Sequence, residues 1–218
     1  MGDCVRHICF DIDGTLYGLP QYPKLEEKIF DAMARTIAQL TEFPLDDVRV
    51  QFKQRYAKLD SNGRVFKTYG LDPNIARGVL ASVNIPSFLE RDERLVGLFE
   101  NLKLKGVPLS YYSNNSYATA QEILSRIGLR SEYFLFQLTG EHFLKDGKSV
   151  AGFEELVRRA QVASNEVMYV GDRMQIDILP AKKAGLKTAL VVWGKEPKED
   201  VLAADFVLQD IYSLEKIL

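Results

Sequence analysis

The sequence predicts an α/β protein, a central parallel sheet with a lobe of helices inserted after the first strand. Three observations carry this. Short apolar runs, each closed by a polar or glycine-rich turn and followed by a segment of helical period, recur through the second half of the chain, the alternation expected of strands joined by crossover helices. Those runs are apolar on both alternating faces, as strands covered by helices on both sides must be. From about Gly18 to Arg91 the rhythm breaks, and helix patterns continue without a convincing strand.

Taken in order, the first strand is expected at His7 to Phe10. The inserted lobe then opens on an amphipathic helix, because Leu25, Ile29, Met33, Ile37 and Leu40 recur at three- and four-residue steps and make one apolar stripe. Phe43-Pro44 ends it. A second helix spans Leu45 to Lys58, Ser61-Asn62-Gly63 reads as a turn, and Asp72-Pro73 opens a third helix with proline in its favoured early position. Beyond the lobe, strands at Pro108 to Tyr112, Tyr133 to Gln137, Val167 to Val170 and Thr188 to Val192 alternate with helices. These helices, Glu93 to Lys105, Tyr117 to Ile127, Phe153 to Ala160 and Ile176 to Ala184, are long enough for right-handed crossovers. Gly128 and Gly185 stand where helix C-caps belong. The expected division is residues 1–17 and 92–218 for the core and 18–91 for the helical insertion, which suits a chain of 218 residues.

Composition narrows the function by exclusion. With 46% hydrophobic and 27% charged residues the chain is an ordinary globular protein. Twenty-eight basic against thirty acidic residues leave a formal charge of -2, too balanced to draw the chain onto a nucleic acid polymer or an anionic membrane, so any anion site must be local. Cys4 and Cys9 are the only cysteines, five residues apart in one expected strand. They can build neither a disulfide framework nor a four-ligand metal site, and a reducing compartment is expected. The first ten residues lack a leader pattern and no run reaches about 18 apolar residues, so the expected location is cytoplasmic.

The chemistry begins at Asp11-Ile12-Asp13-Gly14-Thr15, directly after the first strand, where open α/β sheets bind ligands. Two acids so close repel each other, and a divalent cation keeps both available at neutral pH. Asp11 can then attack a phosphorus atom, while Asp13 handles protons, donating to the leaving alkoxide and later activating water. Alone, the segment reads more readily as an acidic turn at a strand end. A calcium loop is excluded because Thr15 and Tyr22 occupy the fifth and twelfth places.

Company further along the chain favours chemistry. Ser113, Asn114 and Asn115 follow the next strand; Ser113 and Asn114 can hold phosphate oxygens, although Ser113 also reads as an N-cap. Gly171-Asp172-Arg173 follows the strand ending near Val170. Asp172 is the natural second metal carboxylate, and Asp11, Asp172 and the backbone carbonyl of Asp13 suffice for magnesium, which keeps several waters. Asp177 belongs behind these ligands, although alone it reads as an exposed acid near a helix start, and Arg173 receives no role. A fixed cation is needed for the equatorial phosphoryl oxygens, and Lys148, 24 residues before Asp172, is the candidate, with Lys145 its rival and a solvated surface lysine the bland alternative for either.

These clusters, in this order, resemble the haloacid dehalogenase superfamily, specifically its capped phosphatases with an aspartate nucleophile. Phe10 to Tyr17 matches the first motif, Ser113 the second, Lys148 the third, and Gly171-Asp172 through Asp177 the fourth. The resemblance implies a Rossmann-like three-layer core, catalytic magnesium and a mobile helical cap. It departs from the pattern where Ser149, not proline, follows Lys148. Leu16-Tyr17 and Thr68 to Asp72 are similar to the pyrimidine 5'-nucleotidase branch, which implies a nucleoside 5'-monophosphate among the small phosphorylated metabolites to consider.

Other readings compete. A dehalogenase usually lacks the second acid, which Asp13 supplies. A phosphonate hydrolase would need a Schiff-base lysine in the cap, where Lys24, Lys28, Lys53, Lys58 and Lys67 lie unmarked. A sugar phosphomutase shares every core motif. A phospho-accepting receiver module places its acid on a later strand and lacks a lid of over seventy residues. His7 and His142 form no triad, and Trp193 and Cys9 read as packing residues.

Overall fold

The computed structural model of the chain describes residues 5–59, 61–140, 148–194 and 203–218. Two compact units emerge, Leu19–Phe88 and the combination of Met1–Gly18 with Leu89–Leu218. The first unit holds helices α1 (Pro23–Thr41), α2 (Leu45–Leu59), α3 (Asn62–Lys67) and α4 (Pro73–Ser82). The second holds α5 (Glu93–Leu104), α6 (Tyr117–Arg126), α7 (Val150–Ala160) and α8 (Leu179–Lys183). Its strands are β1 (His7–Phe10), β2 (Leu109–Tyr112), β3 (Phe134–Leu138), β4 (Val167–Gly171), β5 (Lys187–Val191) and β6 (Phe206–Leu208).

All strand pairs are parallel, and the order is β3-β2-β1-β4-β5-β6. The α/β class and parallel sheet expected from the sequence are therefore the fold. β1, β2 and β4 are buried along their whole length, which is why their sequences are apolar on both faces. At one margin β3 is only partly covered, and Leu135 is 67% exposed. The other margin is β6, which the sequence did not announce. Three residues with Val207 exposed are too short and too open to form an apolar run.

In the helical unit, α1 begins on Pro23 and ends at Glu42, whose left-handed backbone (φ 59) lets its N–H reach the Ala38 carbonyl at 3.0 Å. Leu25, Ile29, Met33, Ala34 and Ile37 are its buried face. Leu40 departs from the expected stripe. It stands in the final turn, past the last buried position, and is 52% exposed. The expected turn at Ser61-Asn62-Gly63 is instead the start of α3, because the Ser61 hydroxyl accepts the Arg64 N–H and caps a helix there. Asp72 caps α4 in the same way, accepting from the Asn74 N–H at 2.9 Å.

His7 tests the packing of the central strands. It is 1% exposed, shares a 2.7 Å hydrogen bond between Nε2 and Ser110 Oγ, and stacks on Phe136 with ring centroids 5.3 Å apart. Its Nδ1 has no hydrogen-bond partner among the described residues, so a proton there would be buried without an acceptor. Burial lowers its pKa to about 4, against about 6.5 in an unfolded chain. As pH falls through 6.5 the unfolded chain gains a proton that the folded one refuses, and stability drops until about pH 4, by roughly 3 kcal/mol. Urea unfolding across that window should show this loss in the native chain and its absence in His7→Gln.

Candidate active site

Since all strands run the same way, the segments leaving β1, β2 and β4 emerge at one edge, with β1 between the other two. The register pairs Phe10 with both Tyr111 and Val170. Asp11, Ser113 and Asp172 thus leave the sheet close to one level. The Asp11 N–H donates to the Val170 carbonyl at 2.8 Å and the Ser113 N–H to the Leu138 carbonyl at 3.0 Å, which extends the ladder into the site. Strand order reverses here, the place where open parallel sheets hold ligands.

Lys148 comes from the segment before α7. Its backbone N–H donates to Asn114 Oδ1 at 3.1 Å, and the next residue, Ser149, caps the helix by accepting the Gly152 N–H. The side chain points inward and is 2% exposed. Its Nζ lies 2.5 Å from Asp11 Oδ1 and 2.7 Å from Asp177 Oδ1, with the Tyr169 and Tyr112 rings at 5.6 and 5.9 Å. Burial alone would depress this amine, yet the Asp11 and Asp177 carboxylates hold its pKa above the usual lysine range. The paired carboxylates favour its charged form.

Asp177 reaches this amine through local backbone geometry. A single π-helical turn, Met174–Ile178, precedes α8, and the Ile178 N–H donates to the Arg173 carbonyl five residues back. Asp177 is fully buried. Its Oδ1 accepts from Lys148 Nζ and from Tyr169 Oη at 3.2 Å, and its Oδ2 from the Arg173 N–H at 3.0 Å.

Asp172 is held by close packing. Gly14 has φ +82, and a Cβ there would come within 2.2 Å of Asp172 Oδ2, so only glycine lets the two loops touch. Asp11, Asp172 and Asp177 can bring one carboxylate oxygen each within 4.8 Å of the others, a spacing compatible with oxygens on one hard cation. Burial raises the Asp11 pKa well above the usual carboxylate range; Lys148 opposes this, while Asp177, Asp172 and Asp13 reinforce it. Three carboxylates face the Lys148 ammonium and, 3.9 Å from Asp172 Oδ2, the Arg173 Nε, so acids outnumber cations. A divalent cation fits that surplus.

The carboxylate of Asp13 stands outside this group, so any share it takes in metal binding falls to the backbone carbonyl expected of it. Its Oδ1 accepts from Tyr17 Oη and its Oδ2 from Asn115 Nδ2, each at 2.6 Å. Burial and the neighbouring Asp13 hold the Tyr17 phenol far above neutrality, which keeps it a donor. Trp193 Nε1 donates to the Gly14 carbonyl at 2.7 Å, and its ring lies so close to Gly18 that a Cβ there would approach within 2.4 Å.

The structure thus gathers Asp11, Asp172, Asp177 and Lys148, and sets Asp13, Ser113 and Asn114 around them. Lys148 is not the solvated lysine that its sequence alone allowed, nor Asp177 an exposed acid. Ser113 does not cap α6; Ser116 does, accepting the Thr119 N–H at 3.1 Å, while the buried Ser113 Oγ accepts the Asn115 N–H at 3.2 Å. Asn114 is exposed, with its Oδ1 occupied by the Lys148 backbone. Lys145 and His142 lie outside the described residues. Tyr17, Asn115, Trp193, Tyr112 and Tyr169 were not singled out as site residues; only their tertiary contacts reveal them.

The sequence profile of the haloacid dehalogenase-like hydrolases matches residues 5–185. The glyceraldehyde 3-phosphate phosphatase of Methanocaldococcus jannaschii is 25% identical over 224 residues, covering 98% of this chain and 97% of that protein. The phosphoglycolate phosphatase of Synechococcus elongatus is 27% identical over 215 residues, covering 94% and 93%. Among solved structures, a HAD phosphatase from Thermococcus onnurineus superposes with a TM-score of 0.65 at 20% identity, covering 97% of each chain, a likeness that speaks for the fold.

The buried ion cluster yields a stability test. Without Lys148, Asp11 and Asp177 lose their buried counter-charge, so in metal-free buffer Lys148→Met should lower the unfolding free energy by about 3–5 kcal/mol near neutral pH. Urea unfolding at falling pH should show the deficit narrow, because Asp11, already raised by burial, then takes up a proton more readily.

Proposed function

The chain belongs to the haloacid dehalogenase-like hydrolases and is a phosphatase acting on small phosphorylated metabolites, and on that premise we propose that it is a magnesium-dependent phosphomonoesterase working through a phosphoaspartate at Asp11. The observation that carries this reading is the meeting of Asp11 with the Lys148 ammonium inside a cluster of three carboxylates that outnumber their cations.

Asp11, Asp172 and the Asp13 carbonyl would hold the ion, with Asp177 behind them orienting Lys148. Bound there, magnesium supplies Lewis-acid polarisation of the phosphoryl group and relief of charge repulsion. Asp11 Oδ forms the bond to phosphorus as the ester P–O bond breaks. Asp13 gives its proton to the departing alkoxide oxygen, later accepts one from water, and the phosphoaspartate bond breaks as that water attacks. Lys148, with Ser113 and Asn114, steadies the equatorial oxygens, positive charge near the transition state being the main electrostatic aid. The helical unit Leu19–Phe88 serves as the cap, expected at residues 18–91.

Both curated relatives described above are named for two- or three-carbon phosphates. Their names support a compact phosphorylated acid or aldehyde over the nucleoside 5'-monophosphate implied by the nucleotidase resemblance. With magnesium, the native chain should hydrolyse p-nitrophenyl phosphate, and should turn over phosphoglycolate or glyceraldehyde 3-phosphate faster than nucleoside monophosphates. Chelation should abolish turnover and added magnesium restore it. Asp11→Asn should lose several orders of magnitude in kcat; full turnover in that variant would remove the nucleophile from the scheme, and a nucleotide preference would reinstate the nucleotidase branch.

A further inference from the structure

Asp13 differs from every other acid at this edge in the partners it keeps. Asp11 and Asp177 face a lysine ammonium, whereas both oxygens of Asp13 are taken by uncharged donors, one from its own loop and one from the loop after β2. The two bonds are equally short, at 2.6 Å, and they approach different oxygens, so together they fix the rotation of the carboxylate as well as its position. Backbone contacts stiffen the support. Asp13 and Tyr17 are joined by an isolated parallel bridge, the Thr15 and Leu16 N–H groups both donate to the Ile12 carbonyl, and Trp193 holds Gly14 from the segment after β5. Tyr17 itself is 3% exposed, so its hydroxyl is aimed by packing.

We propose that Tyr17 and Asn115 are positioning residues that hold the Asp13 carboxyl in the orientation needed to protonate the leaving group. This rests on the reading of Asp13 as the acid. Neither residue touches the reacting atoms. Their effect is on the geometry of proton transfer, where a small misplacement costs about a hundredfold and the acid itself contributes roughly a hundred- to ten-thousandfold.

Leaving-group chemistry separates this role from a structural one. An alkoxide needs a proton to depart, and p-nitrophenolate does not. The ratio kcat/KM reports steps through that departure, and so omits the later hydrolysis of the phosphoaspartate. In the full chain with magnesium, Tyr17→Phe and Asn115→Ala should each lower kcat/KM for an alkyl phosphate such as glycerol phosphate by about tenfold or more. For p-nitrophenyl phosphate the loss should stay below about twofold, and Asp13→Asn should show the same selectivity, more strongly. Tyr17→Phe keeps the buried ring, and Asn115→Ala gives an independent reading should either variant fold poorly. Selective Asp13→Asn beside equal losses on both substrates, or no loss, in Tyr17→Phe and Asn115→Ala would overturn the positioning role alone. An unselective Asp13→Asn would remove the acid assignment and this role with it.

Discussion

The ammonium of Lys148, buried between Asp11 and Asp177, is the contact on which the rest of the site depends. Taking any one of these ions out of water costs several kcal/mol, and their attraction offsets that only when the geometry is close and the remaining polar atoms are satisfied. Here it is close, and Asp177 meets the second condition through Tyr169 and the Arg173 N–H. The amine therefore ties together three segments far apart in sequence: the exit of β1, the start of α7 and the turn before α8. It cannot neutralise the whole group, since Asp172 joins the same cluster. That surplus of acid is what the divalent cation proposed for this site would offset.

Each participant reaches that point by a local device that the backbone supplies. Parallel pairing sends the β1, β2 and β4 loops to one edge. The Ser149 cap starts α7 directly after Lys148, so the lysine leaves the helix end facing inward. The π turn carries one more residue than an α turn would between the Arg173 carbonyl and Ile178, and Asp177 lands under the amine. Gly14, with no side chain, permits the β1 loop to lie against Asp172. Global topology brings these loops near one another; the cap, the π turn and the glycine bring their atoms into contact.

This division explains what the sequence reveals and what it withholds. Central strands are readable because burial on two faces demands an unbroken apolar run, as at His7–Phe10 and Val167–Gly171. Asp11 and Asp172 are readable because each follows such a run directly. β6 is not, since an edge strand of three residues with its middle one exposed places no such demand on its sequence. Nor is α3, whose start at Ser61 has the composition of a turn until the serine hydroxyl finds the Arg64 N–H. The depth of Lys148 is hidden for a different reason. Its burial depends on two carboxylates, 137 positions earlier and 29 later in the chain, and nothing in its neighbours' composition encodes that meeting. Tyr17 and Asn115 likewise look like a strand-end aromatic and a loop amide until Asp13 stands between them.

The contrast between the two acids of the first motif is a consequence of partner type. A nucleophilic carboxylate, the role proposed for Asp11, must be deprotonated and must sit beside positive charge that also meets the incoming phosphate; Asp11 has the Lys148 ammonium. An acid–base carboxyl has to exchange a proton repeatedly, and a lysine partner would bind one protonation state too firmly. Uncharged donors orient the carboxyl without cancelling its charge, and they remain compatible with either state, because a protonated carboxyl still has lone pairs to offer. Under the proposed roles, ionic neighbours for one acid and dipolar ones for the other let two chemistries run two residues apart. The short spacing is what makes this possible. Asp11 turns toward α7 and the β4 loop, while Asp13 turns toward its own loop and the one after β2, so each meets its partners without competing for those of the other.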